Sequence, residues 1–288
     1  MKIATLTTTL LAAALLALPT ITAAAEYQPQ PFQQGKDVIW LPTPDGLVTK
    51  MLDLAKVTTR DVIIDLGSGD GRTVIAAGKR GIRALGIEYN PEMVEFATRT
   101  AQKEGVADKV KFVKADLFET DFSEATVITM YLLSSLNLKL RPKILGLKAG
   151  TRIVSHAFDM NDWKPDDTTT FDGRHAYLWI VPAQAEGRWR STLGELIIEQ
   201  HFQFFEGTLQ VGGKAVEITN GRINGDRLSF TAGLSQYSGQ ISGSRIEGAV
   251  NGGTSGTCSA TVGLTQTYSS AEAWPFTRKA SPTQLPGP

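Results

Sequence analysis

The stretch Val62-Ile63-Ile64-Asp65-Leu66-Gly67-Ser68-Gly69-Asp70-Gly71-Arg72 constrains the fold more than any other part of the chain. An apolar, largely β-branched run broken only by Asp65 reads as a buried parallel strand, and glycines at alternate positions then force a tight loop. Apolar residues resume at helical spacing in Thr73-Val74-Ile75-Ala76-Ala77, so the loop opens a helix. Glycine lets a ligand approach the loop backbone, and the first helical turn offers unpaired N–H donors. Strand, loop and helix together make a cradle for a nucleotide-like ligand.

A dinucleotide fingerprint puts its third glycine one residue later, where this chain has Arg72, which disfavours a nicotinamide oxidoreductase. With Asp65 ahead of the glycines, the pattern Asp-x-Gly-x-Gly-x-Gly resembles the first motif of the class I S-adenosylmethionine (SAM) methyltransferases. Ala84-Leu85-Gly86-Ile87-Glu88 is a second short strand ending in an acid, suited to accepting hydrogen bonds from two ribose hydroxyls. A third strand, Val110 to Ala115, ends at Asp116, placed to accept from an adenine amino group. Ligands of doubly wound sheets sit outside the carboxyl ends of the strands, so the three acids are expected to converge. The resemblance implies SAM as cofactor, held by Asp65, Gly67, Ser68, Gly69, Asp70, Gly71, Glu88, Tyr89, Asp116 and Leu117. No spacing of histidine, cysteine and acid suggests a metal.

Strand and helix signals alternate through this region, as a parallel sheet with crossover helices requires. Strands are expected near 61–66, 83–88, 110–115, 125–131, 151–156 and 176–181, and helices near 45–55, 71–80, 91–104 and 135–147. Asn90-Pro91 is a helix start, with Asn90 as cap and Pro91 in the first helical position.

Several further segments narrow the resemblance: Pro42-Thr43-Pro44, the run from Tyr131-Leu132-Leu133-Ser134 to Arg141-Pro142, and Ser155-His156-Ala157-Phe158-Asp159-Met160 followed by Trp163-Lys164-Pro165-Asp166. With the glycine loop they resemble the ATP-synthase-c-subunit lysine methyltransferase family and its bacterial relatives, over about residues 38–182. That resemblance implies a Rossmann-like α/β fold with a doubly wound, mostly parallel sheet. It also implies an acceptor that is a protein lysine or another amine. Ser134 stands where the family loop has proline.

Methyl transfer from a sulfonium is an in-line displacement, so much of the catalysis comes from holding the nucleophile in place. An amine acceptor must first lose a proton, which desolvation beside apolar walls favours. Tyr131 and Asn137 are the candidate catalytic residues that orient it; the competing readings are a core-edge aromatic and a helix-cap amide. His156 reads as a satisfied core histidine ahead of a general base.

The N-terminus reads differently. Met1-Lys2, an uncharged apolar run to Leu18, Pro19, and Ala23-Ala24-Ala25 before Glu26 form a signal-peptide pattern over residues 1–25, implying export to the periplasm or beyond. An uncleaved membrane anchor over residues 3–18 is the competing reading; after cleavage no stable membrane span is left. Residues 26–40 read as an extended leader, 41–183 as the SAM-binding domain, 184–279 as a second domain and 280–288 as a disordered tail. In the second domain helical periodicity gives way to alternating strands and glycine turns. Ile223-Asn224-Gly225-Asp226-Arg227-Leu228 and Ile241-Ser242-Gly243-Ser244-Arg245-Ile246 each signal a hairpin. Strands over Glu195–Phe205, Gly207–Val211, Ala215–Thr219 and Ser229–Ala232 make a small antiparallel β domain, a meander or barrel with Trp189 and Trp274 in its core.

Lys plus Arg balances Asp plus Glu at 29 each, so no basic field favours nucleic acid. The expectation is thus a SAM-dependent methyltransferase, with an exported SAM-fold binding protein lacking transferase activity as the alternative. Oligomeric state is left open.

Overall fold

The computed structural model describes residues 26–191, 194–252 and 260–267. The signal-peptide reading, Trp274 and the expected tail lie outside them. Among the described residues no helix is long and apolar enough to cross a membrane.

The first unit is a seven-stranded sheet in the order β3-β2-β1-β4-β5-β7-β6. Its strands are β1 (Val62–Leu66), β2 (Arg83–Glu88), β3 (Val110–Lys114), β4 (Val127–Met130), β5 (Arg152–His156), β6 (Asp167–Phe171) and β7 (Arg174–Ile180). The first five run parallel; β7 is antiparallel to β5 and carries β6 on its outer side, a strand that sequence periodicity missed. Alternate side chains of β1 enter opposite apolar layers. Ile63 packs with Leu47, Met51 and Val74, and Ile64 with Ile128, Leu140 and Trp179. The chain reverses direction across the sheet between β1 and β4, so a crevice opens at their carboxyl ends.

Four helices are described in this unit: α1 (Asp45–Leu54), α2 (Arg72–Lys79), α3 (Pro91–Lys103) and α4 (Ser134–Leu145). The expected cap on α3 forms, with the Asn90 side chain accepting from the backbone N–H of Glu92 and Met93. Residues 26–40 do not run extended. Phe32 N–H donates to Trp40 O at 2.9 Å and Trp40 N–H to Gln33 O at 3.0 Å, folding the leader back into a strap.

The second unit is a closed eight-stranded barrel, β10-β11-β12-β13-β14-β15-β8-β9. Its strands are β8 (Gly187–Ser191), β9 (Gly194–His201), β10 (Phe204–Val211), β11 (Lys214–Asn224), β12 (Arg227–Ala232), β13 (Ser235–Ser242), β14 (Arg245–Asn251) and β15 (Ala260–Thr267). The strand expected over Glu195–Phe205 is two strands, broken by a turn at Phe202-Gln203, and Gly207 lies inside β10. Both glycine hairpins form, with φ of +59° at Gly225 and +57° at Gly243. Trp189 is fully buried in the barrel, its indole N–H donating to Ala185 O at 2.8 Å.

Candidate functional site

The crevice at the strand ends is a cleft of about 470 Å³. Asp65, Gly67, Ser68, Asp70, Glu88, Tyr89, Asp116, Leu117 and Tyr131 all line it, as do Phe158 and the strap from Gln33 to Thr43. Three strand ends thus deliver their acids to one place.

Asp65 is the most perturbed of them. Its carboxylate accepts from Thr129 Oγ1 at 2.6 Å, and burial pushes its pKa up to about 7, with Asp70 and Glu88 adding to the rise. A buried acid held near neutrality by desolvation is a ready partner for a ligand cation, whose arrival favours the ionised form. Glu88 accepts from Gly69 N–H and from Asn90 N–H, each at 2.9 Å, one bond to each oxygen. Each oxygen keeps a lone pair for ribose hydroxyls. Asp70 is already neutralised: Arg72 Nη2 donates to it at 2.6 Å, while Arg72 Nη1 donates to Thr43 O at 2.9 Å and so ties the strap to the glycine loop. Asp116 accepts from Phe118 N–H at 2.9 Å and forms an ion pair with Lys36, whose ammonium also stands 4.9 Å from the centre of the Tyr89 ring. The hydroxyl of Ser68 is buried and has no protein partner among the described residues.

Three of the expected site residues serve the structure from behind the cleft. Gly71 caps α2 at φ +82°, and a Cβ there would meet the Phe112 ring at 2.7 Å and Ala97 Cβ at 2.8 Å. Gly69, at φ +52°, lies under the indole of Trp40, into which a Cβ would run. Close packing and a left-handed backbone therefore require these glycines, a reason additional to the ligand approach that the sequence reading gave them. Asn137 is fully buried and does not line the cleft. Its Nδ2 donates to Phe158 O at 3.1 Å and Asp159 O at 3.2 Å, pinning the loop after β5 to α4.

The far end of the cleft is aromatic. Tyr131 stacks on His156 with ring centres 3.8 Å apart and on Phe158 at 6.1 Å. His156 shares a hydrogen bond of 3.0 Å with Thr43 Oγ1, and burial, reinforced by Arg174, lowers its pKa to about 4. It is neutral at physiological pH and works as a core residue beneath Tyr131, in line with the preferred sequence reading. Lys36 and Phe158 were missed as cleft residues. Arg72, standing where another fingerprint has glycine, was the one local signal that the loop has an unusual partner.

The profile of the ANTKMT methyltransferase domain matches residues 65–167. A protein-lysine N-methyltransferase of Saccharolobus islandicus (strain REY15A) is 40% identical over 151 residues, covering 50% of this chain and 94% of its own length. The ATP-synthase-c-subunit lysine N-methyltransferase of Homo sapiens is 36% identical over 111 residues, covering 38% of this chain. The chain spans only 48% of the length of that human relative. Among solved structures, an RNA methyltransferase from Salinibacter ruber in complex with S-adenosyl-L-homocysteine is 51% identical, covering 50% of this chain and 96% of its own, with a TM-score of 0.49.

Proposed function

Because the chain belongs to the SAM-dependent protein-lysine N-methyltransferase family, we propose that it methylates the side-chain amine of a lysine on a protein acceptor. When bound, SAM supplies a methyl group made electrophilic by its sulfonium. Asp65 takes up the ammonium of the methionine part, Glu88 the ribose hydroxyls, and Asp116 with Tyr89 and Leu117 the adenine. Tyr131 and Phe158 wall the acceptor end. Their ring faces exclude water, and desolvation there lowers the amine's pKa so that it gives its proton to solvent and its lone pair becomes available; the same faces then attract the ammonium that methylation leaves. Asn137 acts through the loop it pins and is a positioning residue.

The observation that carries this reading is the division of the cleft, with three acids at one end and the Tyr131–Phe158 stack at the other. Labelled SAM incubated with the purified protein and an extract of the source cells is expected to label a protein fraction, with the label recovered on lysine. Tyr131→Ala is expected to lower the transfer rate by about 10²-fold while changing SAM affinity less than about threefold, because it removes an interaction with the reacting amine and none with the donor. Label recovered in RNA, or equal loss of rate and SAM affinity, would overturn the acceptor reading.

A further inference from the structure

The turn between β9 and β10 is built against the grain of its backbone. It has two residues, and the first, Phe202, sits at φ +55°, a conformation glycine adopts freely and a bulky residue adopts at a cost. Non-glycine residues persist there when their surroundings over-determine them, and such strain concentrates at functional positions. The Phe202 ring lies parallel to Trp163, centres 5.7 Å apart and 15° between planes, with the Arg141 guanidinium 5.3 Å from its centre. Its neighbour Gln203, almost fully buried, donates from Nε2 to Lys164 O at 2.7 Å.

Trp163 and Lys164 belong to the loop of residues 157–166 between β5 and β6. The front of that loop carries Phe158, which stacks on Tyr131 in the acceptor end of the cleft. Its middle is tied to α4, where Arg141 Nη1 donates to Met160 O at 3.0 Å. Its rear ends at Asp166, which is paired with the barrel's Arg222 at 2.7 Å. One loop therefore has an acceptor face and a barrel face.

We infer that the barrel turn Phe202-Gln203 is a positioning element for methyl transfer: by gripping Trp163 and Lys164 it holds Phe158 against Tyr131. This assigns the barrel a role in the reaction and rests on the acceptor reading of Tyr131 and Phe158. Without the grip, the loop keeps its fastening to α4, the bond from Trp179 Nε1 to Trp163 O and the Asp166–Arg222 pair, but Trp163 loses the ring packed against it and Phe158 is held less firmly in the stack.

Phe202→Gly tests this in the full-length protein, since it relieves the backbone at φ +55° and removes only the ring. Amide hydrogen exchange of residues 157–166 is expected to quicken at least about tenfold, with exchange in 62–72 unchanged. SAM affinity should hold within twofold and acceptor kcat/KM should drop about tenfold, while Phe202→Tyr, which keeps the ring, restores both readouts. Unchanged exchange around Phe158, or faster exchange with full kcat/KM, overturns the inference. A wild type that labels RNA overturns the lysine reading alone, and kcat/KM is then read on RNA. A wild type that labels nothing overturns the transferase reading, and unchanged exchange would still overturn the grip.

Discussion

The two ends of the cleft are made by different means. At the donor end each group stands at the end of a strand or in the turn that follows it: Asp65 and the glycine loop on β1, Glu88 and Tyr89 on β2, Asp116 and Leu117 after β3. At the proposed acceptor end, Tyr131 is backed by His156, His156 is fastened to Thr43 a hundred and thirteen residues away, and Phe158 is held from behind by α4, on a loop whose Trp163 packs against the barrel's Phe202. The donor end can thus be written into local strand-turn-helix units. The acceptor end that we propose is assembled from the strap, α4 and the loop that the barrel packs against, parts that have no sequence proximity.

The largest test of the donor end is electrostatic. Asp65 has a pKa of about 7 in the folded protein without ligand, against 3.8 for an ordinary aspartate. Between those values the native state binds a proton that the unfolded chain has released. The associated stability is fully present below the ordinary pKa, declines steadily as pH rises between the two values and is gone above 7, on the order of 4 kcal/mol in all. Urea unfolding of the ligand-free protein at pH 5 and pH 8 should show the part of that loss that falls between pH 5 and 7, about 2–3 kcal/mol, and Asp65→Asn should abolish it. Calorimetric SAM affinity runs the other way, improving by up to about tenfold per unit as pH rises toward 7, because the ligand's ammonium requires the ionised carboxylate. Asp65→Asn should weaken binding by about 10²-fold, the scale of a charged hydrogen bond. SAM affinity that is flat across this range would show that no cation pairs with Asp65.

A smaller effect separates the glycines. Gly71→Ala forces a Cβ against Phe112 and Ala97 at φ +82° and should destabilise the fold by about 2–4 kcal/mol in urea titration. Gly69→Ala meets only the indole of Trp40, and since that indole rides on the strap, the loss of stability should be held to the roughly 1–2 kcal/mol of its left-handed backbone, with the rest of the cost appearing as weaker SAM binding. A Gly71→Ala protein of full stability would remove the packing explanation.

This pair also marks where the sequence ceases to be legible. The glycine loop, the acids at 65, 88 and 116 and the Asn90-Pro91 helix start follow from short-range periodicity and turn chemistry, and the structure has them all. The reason for Gly69 and Gly71 is invisible locally, because Trp40, Ala97 and Phe112 come from other elements. Asn137 followed helical numbering onto the correct helix, but whether it faces the cleft or the loop behind it depends on how α4 packs. Barrel closure depends on β15 meeting β8, and the break at Phe202 opposes the backbone preference of phenylalanine. In each case a tertiary contact overrides the local pattern, at the donor end as well as on the acceptor side.

The smallest expected effect probes where the two ends meet. Lys36, on the strap, is paired with Asp116, the acid expected to receive the adenine amino group; hydrogen bonding from Lys36, then from Phe118 N–H, holds the Asp116 carboxyl below its ordinary pKa. Lys36 therefore competes with the cofactor for one carboxylate. Both side chains are partly open to solvent, at 34% and 21% exposure, so the pair is screened and its removal should be modest. Lys36→Gln should tighten SAM binding by about fivefold at most, and added salt, which weakens the competing pair, should narrow the gap between wild type and variant. Weaker SAM binding in Lys36→Gln would mean that the ammonium stays over Tyr89 and helps hold the adenine. The strap would then belong to the donor end, and the division between a locally encoded donor site and a remotely assembled acceptor site would have to be redrawn to include it.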